Sequence, residues 1–322
     1  MSEVIYSESL TDQNLRGKVV VLTGGAQGIG AATVKLLHSK GAHVFFGDWD
    51  EAKGLALQQS LTDSSSSSSS GSGSGGSATF RRVDVRNHDQ QLALFDDALS
   101  AHKNIDVAIQ CAGVVEPGGW FEPKDLNLDT VRTDPVPLRE NIEINLTSVL
   151  LFSRMALAYL SSSSSTSSSS ESKSSSFSKS IVLTSSIAGI TEAPGLFAYS
   201  SAKHGVVGTM RALRRFGPEK YGVRANVICP WATDTQILAG VKAAWEKQRM
   251  PMNTPEDVAK MILQCAADEK VNGRAVFVAG GRGYDTEEGI DRTLPEWLGK
   301  ENAQVFLKGQ EILGLGGDWV NK

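Results

Sequence analysis

KVVVLTGGAQGIGAATVKLLHS (Lys18–Ser39) is the stretch from which the rest of the chain can be read. Its first six residues form a β-branched apolar run, as in a strand buried on both faces. From Gly28 onward, Ile29, Ala32, Leu36 and Leu37 fall on one side at helical spacing. Between the two, Gly24, Gly28 and Gly30 allow a tight turn and close backbone approach, with Gln27 and Ile29 among them. The helix start presents free N–H groups and the positive end of its dipole. Strand, glycine turn and helix in that order make a cradle for the pyrophosphate of a dinucleotide.

The pattern repeats outward from this unit. Strands are predicted over Lys18–Thr23, Ala42–Gly47, Ala78–Val83, Ile105–Gln110, Ser180–Thr184, Arg224–Cys229 and Ala275–Val278. Helices are predicted over Gly28–Ser39, Glu51–Leu61, Gln90–His102, Leu138–Leu160, Tyr199–Tyr221, Thr235–Gln248 and Pro255–Asp268. Alternating apolar strands and helices give an α/β fold, a Rossmann-like doubly wound parallel sheet of about seven strands in one domain. Residues 1–16 read as an N-terminal extension, 17–281 as the domain, and 282–322 as a tail that covers the pocket, binds a partner or packs on its own chain. Two serine-rich stretches, 63–77 and 161–178, interrupt the domain. Their composition cannot bury enough apolar surface to offset chain entropy, so they are expected to be flexible insertions. Each leads from a helix into a strand, which puts it at the sheet edge opposite the ligand-binding edge.

The 322 residues carry a formal net charge of −4 and a mean hydropathy of −0.16. No phosphate-neutralising nucleic-acid surface is expected of that balance, and Arg211, Arg214 and Arg215 read as a solvated helix face. Cys111, Cys229 and Cys265 lie in or beside apolar runs without metal-ligand spacing, so free thiols and no metal are expected. The longest nearly apolar stretch, Val149–Leu160, holds 12 residues including Arg154. That is short of the ~18 a membrane span needs. The first residues lack the apolar core of a secretory signal, and a cytoplasmic location follows by default.

Asp48 ends the second strand, 24 residues past Gly24. An acid there suits the adenosine ribose hydroxyls and repels a 2′-phosphate, which favours NAD over NADP. It can also cap the segment beginning at Trp49. Asp84 ends the third strand, placed either for the adenine edge or as a turn residue. The strongest constellation is Tyr199-Ser200-Ser201-Ala202-Lys203. On a helix, i and i+4 share a face, so the Tyr199 hydroxyl and the Lys203 ammonium reach one place. A nearby cation lowers a phenol pKa towards what a general acid/base needs. Ser186, 13 residues upstream, can hold a substrate oxygen, and Asn145 can bind a water leading to Lys203.

With these residues in hand, the chain resembles the short-chain dehydrogenases/reductases from Lys18 to Val278. The resemblance is carried by TGGAQGIG, Asp48, Asp84-Val85, Cys111-Ala112-Gly113, Asn145, Ser186, Tyr199-x-x-x-Lys203 and Cys229-Pro230. Gly47-Asp48-Trp49, INLTSVL and TSSIAG…YSSAKHGVVG are similar to the NAD-linked 15-hydroxyprostaglandin dehydrogenase branch. The resemblance implies that Asn145, Ser186, Tyr199 and Lys203 are catalytic. It implies a cofactor site made of the glycine turn, Asp48, Trp49, Asp84, Val85, Cys111, Ala112, Gly113, Tyr199, Lys203, Pro230, Thr233 and Thr235, with Thr235 on the nicotinamide carboxamide. It also implies a homodimer or homotetramer through the long helices. Two positions depart from the family pattern: Cys111 stands where Asn is usual, and Trp231 where Gly is usual.

The implied activity is NAD-dependent oxidation of a secondary alcohol to a ketone, with Tyr199 as base. Val114, Val115, Trp120, Phe121, Pro194, Leu196, Phe197, Trp231 and Ile237 stand in loops at the ligand edge and favour a lipophilic alcohol or ketone. The Pro-bearing loop 113–137 is long enough to act as a lid. The alternatives are an NAD(P)H-dependent ketone reductase of natural-product biosynthesis and a non-catalytic NAD-binding sensor or scaffold.

Overall fold

In the computed structural model, which describes residues 2–67, 75–118, 121–162 and 178–315, nine strands form one sheet in the order β1-β9-β8-β7-β6-β5-β2-β3-β4. The seven expected strands are β2 (Val19–Thr23), β3 (His43–Asp48), β4 (Ser77–Arg82), β5 (Val107–Gln110), β6 (Lys179–Thr184), β7 (Val223–Pro230) and β8 (Ala275–Ala279), all parallel. The expectation of about seven is short by two. β1 (Glu3–Val4) and β9 (Arg282–Asp285) extend the β8 edge in antiparallel fashion. Two- and four-residue strands carry no alternating pattern, and their pairing joins the first residues of the chain to the segment after β8. The segments expected as an extension and a tail thus both contribute to the sheet.

Strand residues alternate between two cores. Val21, Phe45, Ala108, Ile181 and Val227 face helices α4 (His88–His102), α6 (Ser148–Ser162) and α7 (Phe197–Tyr221), meeting Phe95, Phe152, Val206 and Met210. Val20, Leu22, Val44, Phe46 and Ile109 face α2 (Gly28–Ser39) and α9 (Pro255–Ala267), meeting Val34, Leu37 and Ile262. Each such side chain removed from water contributes about 1.5–3 kcal/mol. Near the N-terminus, α1 (Glu8–Leu15) packs on α9 with Leu15 buried.

Several helices differ from expectation. The helix expected over Leu138–Leu160 is α5 (Val136–Ile142), a π turn (Glu143–Thr147) and then α6. A π turn inserts one residue without changing composition, so periodicity passes over it. The run 136–162 is long and apolar enough by composition to cross a membrane, with a hydropathy of 1.3. Its Val149, Phe152, Ala156 and Leu160 are nonetheless buried in this chain's core. The helix expected over Thr235–Gln248 splits into a 3-10 turn (Gln236–Leu238) and α8 (Lys242–Lys247), with Gly240 between them. After β9 the chain forms α10 (Thr286–Trp297) and α11 (Lys300–Leu313). Arg211 and Arg214 are more than a solvated face, since both bond the buried carboxylate of Glu287.

The first serine stretch begins inside α3 (Glu51–Ser67), and Ser77 opens β4. Residues 68–74 and 163–177, on which the expected flexibility falls, lie outside the described residues, as do Trp120 and Trp319. The chain runs outward from β2 to β3 and β4, then returns to place β5 on the other side of β2. A crevice opens where the order reverses, at the carboxyl ends of β2 and β5.

Candidate active site

The β2–α2 turn builds the floor of this crevice. Gly24 has φ +77°, and a Cβ there would lie 2.4 Å from the Ala112 amide nitrogen. A Cβ on Gly30 would stand 1.8 Å from the Gly24 carbonyl oxygen. Only glycine lets strand, turn and helix meet this closely. The cleft above has a volume of about 1590 Å³. Its lining includes Gly24, Gln27, Gly28, Ile29, Gly30, Asp48, Trp49, Asp84, Val85, Cys111, Ala112, Gly113 and Thr235.

Asp48 is 5 % exposed. One carboxylate oxygen accepts from the Ala26 amide and the other from the Asp50 amide, both at 3.0 Å. It therefore braces the glycine turn and caps the following segment while still facing the cleft. Asp84 also lines the cleft, and its carboxylate is paired with Arg86 at 2.7 Å. That hydrogen bond holds Asp84 below the usual carboxylate range.

The second half of the site lies past Gly113. A Cβ on Gly113 would come within 3.0 Å of Asn145 Oδ1 and 3.3 Å of Lys203 Nζ. Lys203 Nζ stands 5.6 Å from the Tyr199 ring centroid and donates to the Thr184 carbonyl at 3.1 Å. Helix α7 thus puts the pair on one face, at the carboxyl end of β6. Ser186 follows β6, where it caps a 3-10 turn (Ile187–Gly189) through the Ala188 amide. The Ser185 hydroxyl donates to the Lys203 carbonyl at 2.7 Å, and that of Ser200 to the Ala188 carbonyl at 2.9 Å. Gly189 permits this contact: a Cβ there would stand 2.5 Å from the Lys203 carbonyl oxygen.

Burial dominates the electrostatics. It pushes the Tyr199 phenol up, and the Ser186 hydroxyl opposes the shift. It pushes the Lys203 ammonium down to about 8 and the Cys111 thiol up to about 11. Against expectation, the influence that opposes burial at the phenol is the Ser186 hydroxyl and not Lys203. Cys111 Sγ accepts from the Thr184 hydroxyl at 3.6 Å, bridging β5 and β6 where the family pattern has Asn.

The Asn145 side chain grips the backbone of Val114 at both its N–H and its carbonyl, and donates to Asn141. Its Nδ2 is committed to the Val114 carbonyl and to Asn141, while its Oδ1 accepts from the Val114 amide. Pro230 ends β7, buried. The Thr233 hydroxyl donates to the Trp231 carbonyl inside its own loop. Trp231 packs edge-on against Trp245 and beside Phe277, away from the cleft lining. Of the apolar loop residues, Val114, Val115 and Ile237 line the cleft, and Phe121 stacks on Phe197 with centroids 3.8 Å apart. Among the described residues no His, Cys, Asp and Glu cluster is arranged to hold a metal.

Sequence reasoning missed Glu116, whose Oε2 accepts from the Tyr199 amide at 2.9 Å. The partners are 83 residues apart, and no local pattern links them.

A family model described as short chain dehydrogenase matches residues 18–246. A 5'-hydroxyaverantin dehydrogenase of Dothistroma septosporum is 29% identical over 311 residues, covering 92% of this chain and 94% of that protein. A cis-4-hydroxycyclohexanecarboxylate dehydrogenase of Sinomonas cyclohexanicum is 32% identical, covering 82% of this chain and 96% of that one. (+)-Borneol dehydrogenase 1 of Salvia officinalis is 29% identical, covering 85% and 97%. The crystal structure of gox2181 superposes with a TM-score of 0.67 over 84% of this chain and 98% of that chain, at 22% identity, a likeness of fold.

Proposed function

The chain belongs to the short-chain dehydrogenase family, and on that footing we propose that it oxidises a lipophilic secondary alcohol to a ketone with NAD, Tyr199 acting as the base. Membership makes it an oxidoreductase working with a nicotinamide dinucleotide on a small molecule. The observation that carries the finer reading is the gathering of Tyr199 and Lys203 past Gly113, with Ser186 beside the phenol.

The residues present fit such a cofactor. The floor of the cleft is glycine where a Cβ would collide with backbone, and Gly113 keeps the way to Lys203 open. Gly24, Gly28 and Gly30 with the amide end of α2 would hold the pyrophosphate, Asp48 the adenosine ribose and Asp84 with Val85 the adenine edge. Tyr199 and Lys203 would reach the second ribose, and Thr235 the carboxamide. The nicotinamide supplies the acceptor for the hydrogen and electron pair of the alcohol carbon.

This chain's own residues do the rest. Ser186 and Tyr199 hold the alcohol oxygen between their hydroxyls. Tyr199 takes its proton, and the Ser186 hydroxyl bond favours the phenolate against the cost of burial. Lys203, on the same helix face, would hold the second ribose beside the phenol. Asn145 keeps the Gly113–Val114 backbone against this pair. Val114, Val115 and Ile237 give the open end an apolar lining. Two relatives are named for borneol and cis-4-hydroxycyclohexanecarboxylate, both ring alcohols, and this supports the choice.

A second reading, an NADPH-linked ketone reductase, draws on Lys35 and Arg82, exposed cations lining the cleft that holds Asp48. The deciding experiment follows reduced-nicotinamide absorbance with NAD or NADP against ring secondary alcohols, and then NADH or NADPH against the ketones. NAD-linked oxidation that Tyr199→Phe lowers at least about a thousandfold, with NAD binding retained, supports the proposal. Wild-type rates in that variant overturn it. A homodimer or homotetramer belongs to the same proposal, tested by the light-scattering mass of the purified chain.

A further inference from the structure

Helix α7 lacks a cap of its own. Its N-cap residue is Leu196, with no side-chain acceptor, and no acidic residue stands in its first turn. A Ser, Thr, Asp or Asn at that place would accept from the amide of the second or third helical residue. The third is Tyr199, and its amide donates instead to Oε2 of Glu116 at 2.9 Å. Glu116 is 6 % exposed, although Val114, Val115 and Pro117 around it are exposed. A carboxylate withdrawn from water is costly unless compensated, and the amide end of a 25-residue helix provides compensation. Five residues on, Phe121 stacks against Phe197 in the same first turn. The loop that follows β5 is therefore fastened at two points to the start of the helix that carries Tyr199 and Lys203.

We propose that Glu116 is a positioning residue: it caps the catalytic helix from the substrate loop, through the amide of Tyr199 itself. Docking of the loop then completes the first turn of α7 and sets the phenol in line with Ser186. The bond of Glu116 is to the backbone amide, so its carboxylate meets the helix end directly. The inference rests on Tyr199 being the base.

The test compares wild type with Glu116→Ala, Glu116→Gln, Glu116→Ala/Leu196→Asp and Tyr199→Phe. Amide hydrogen exchange is followed over residues 194–203 and 112–118, together with NAD-linked oxidation of (+)-borneol and cis-4-hydroxycyclohexanecarboxylate. Glu116→Ala is expected to speed exchange in both segments and to lower kcat by about tenfold, with NAD affinity unchanged. Glu116→Gln keeps an acceptor without the charge and should fall between. Leu196→Asp gives the helix a local cap, so the double variant should regain helix protection and kcat but not loop protection. Unchanged exchange at the helix start in Glu116→Ala, or a double variant that regains nothing, overturns the proposal. Exchange needs no substrate, so it decides the role of Glu116 even where neither alcohol is turned over. Tyr199→Phe with full turnover overturns the base reading instead. An inactive Tyr199→Phe beside an unaffected Glu116→Ala overturns only the role of Glu116.

Discussion

Tyr199 is 8 % exposed, and a phenolate loses more on leaving water than a phenol does. With Tyr199 as the proposed base, its raised pKa predicts that alcohol oxidation, which needs the proton gone, speeds up as pH rises through that value. Ketone reduction, which needs the proton present, slows over the same range. The Ser186 hydroxyl bond works against burial. Ser186→Ala is therefore expected to move the Tyr199 titration to still higher pH. Phenolate absorbance read as a difference from Tyr199→Phe checks this without a substrate, and a shift to lower pH contradicts it. At this scale the sequence was informative about identity and less so about energetics. Tyr199 and Lys203 are placed by helical spacing alone, so they share a face as expected. Which influence wins on the phenol depends on how much water the fold excludes, and that is a property of packing.

The element that carries most of the site is the β2–turn–α2 unit, where propensity, periodicity and glycine placement agree. Gly30 approaches the Gly24 carbonyl so closely that a methyl group would stand 1.8 Å from it. Gly30→Ala must push the start of α2 away from the turn. We expect dinucleotide affinity to fall by at least about tenfold with the fold retained, since a one-carbon clash displaces a helix end and leaves the core intact. Equilibrium NAD titration with far-ultraviolet circular dichroism checks both halves of that expectation. Other elements were readable only in part. The π turn at Glu143–Thr147 keeps the composition of a continuous helix, and its Asn145 bonds to Val114, 31 residues away. Glu116 is hidden for the same reason: its partner is an amide, and amides leave no mark in a sequence.

On the scale of the whole molecule, the first residues of the chain and β9 close the sheet at the edge away from the β2–β5 crevice. Glu3 and Val4 pair with Tyr284 and Gly283 of β9. Asn14 donates to the Ala267 carbonyl, where α9 ends, and the Ser7 amide donates to Gln264. Leu15 and Thr11 are buried beneath these contacts. Removing residues 2–16 should cost the burial of Leu15, about 1.5–3 kcal/mol, and leave Gln264 without its amide donor. At about 2–4 °C for each kcal/mol, and less in larger chains, the melting temperature should fall by several degrees. Among the described residues, the segment's side chains meet α2 at its far end, where Glu8 and Asp12 pair with Lys40, and not at the glycine turn, so NAD affinity below the new melting point should stay within about twofold of the full chain. Differential scanning calorimetry and NAD titration of the truncated protein separate the two effects. A truncated chain that melts normally would make the first strand and helix dispensable. One that folds but no longer binds NAD would mean that the helices packed on α1, α9 through its buried face and α2 through Lys40, both of which line the cleft with their first turns, transmit the loss.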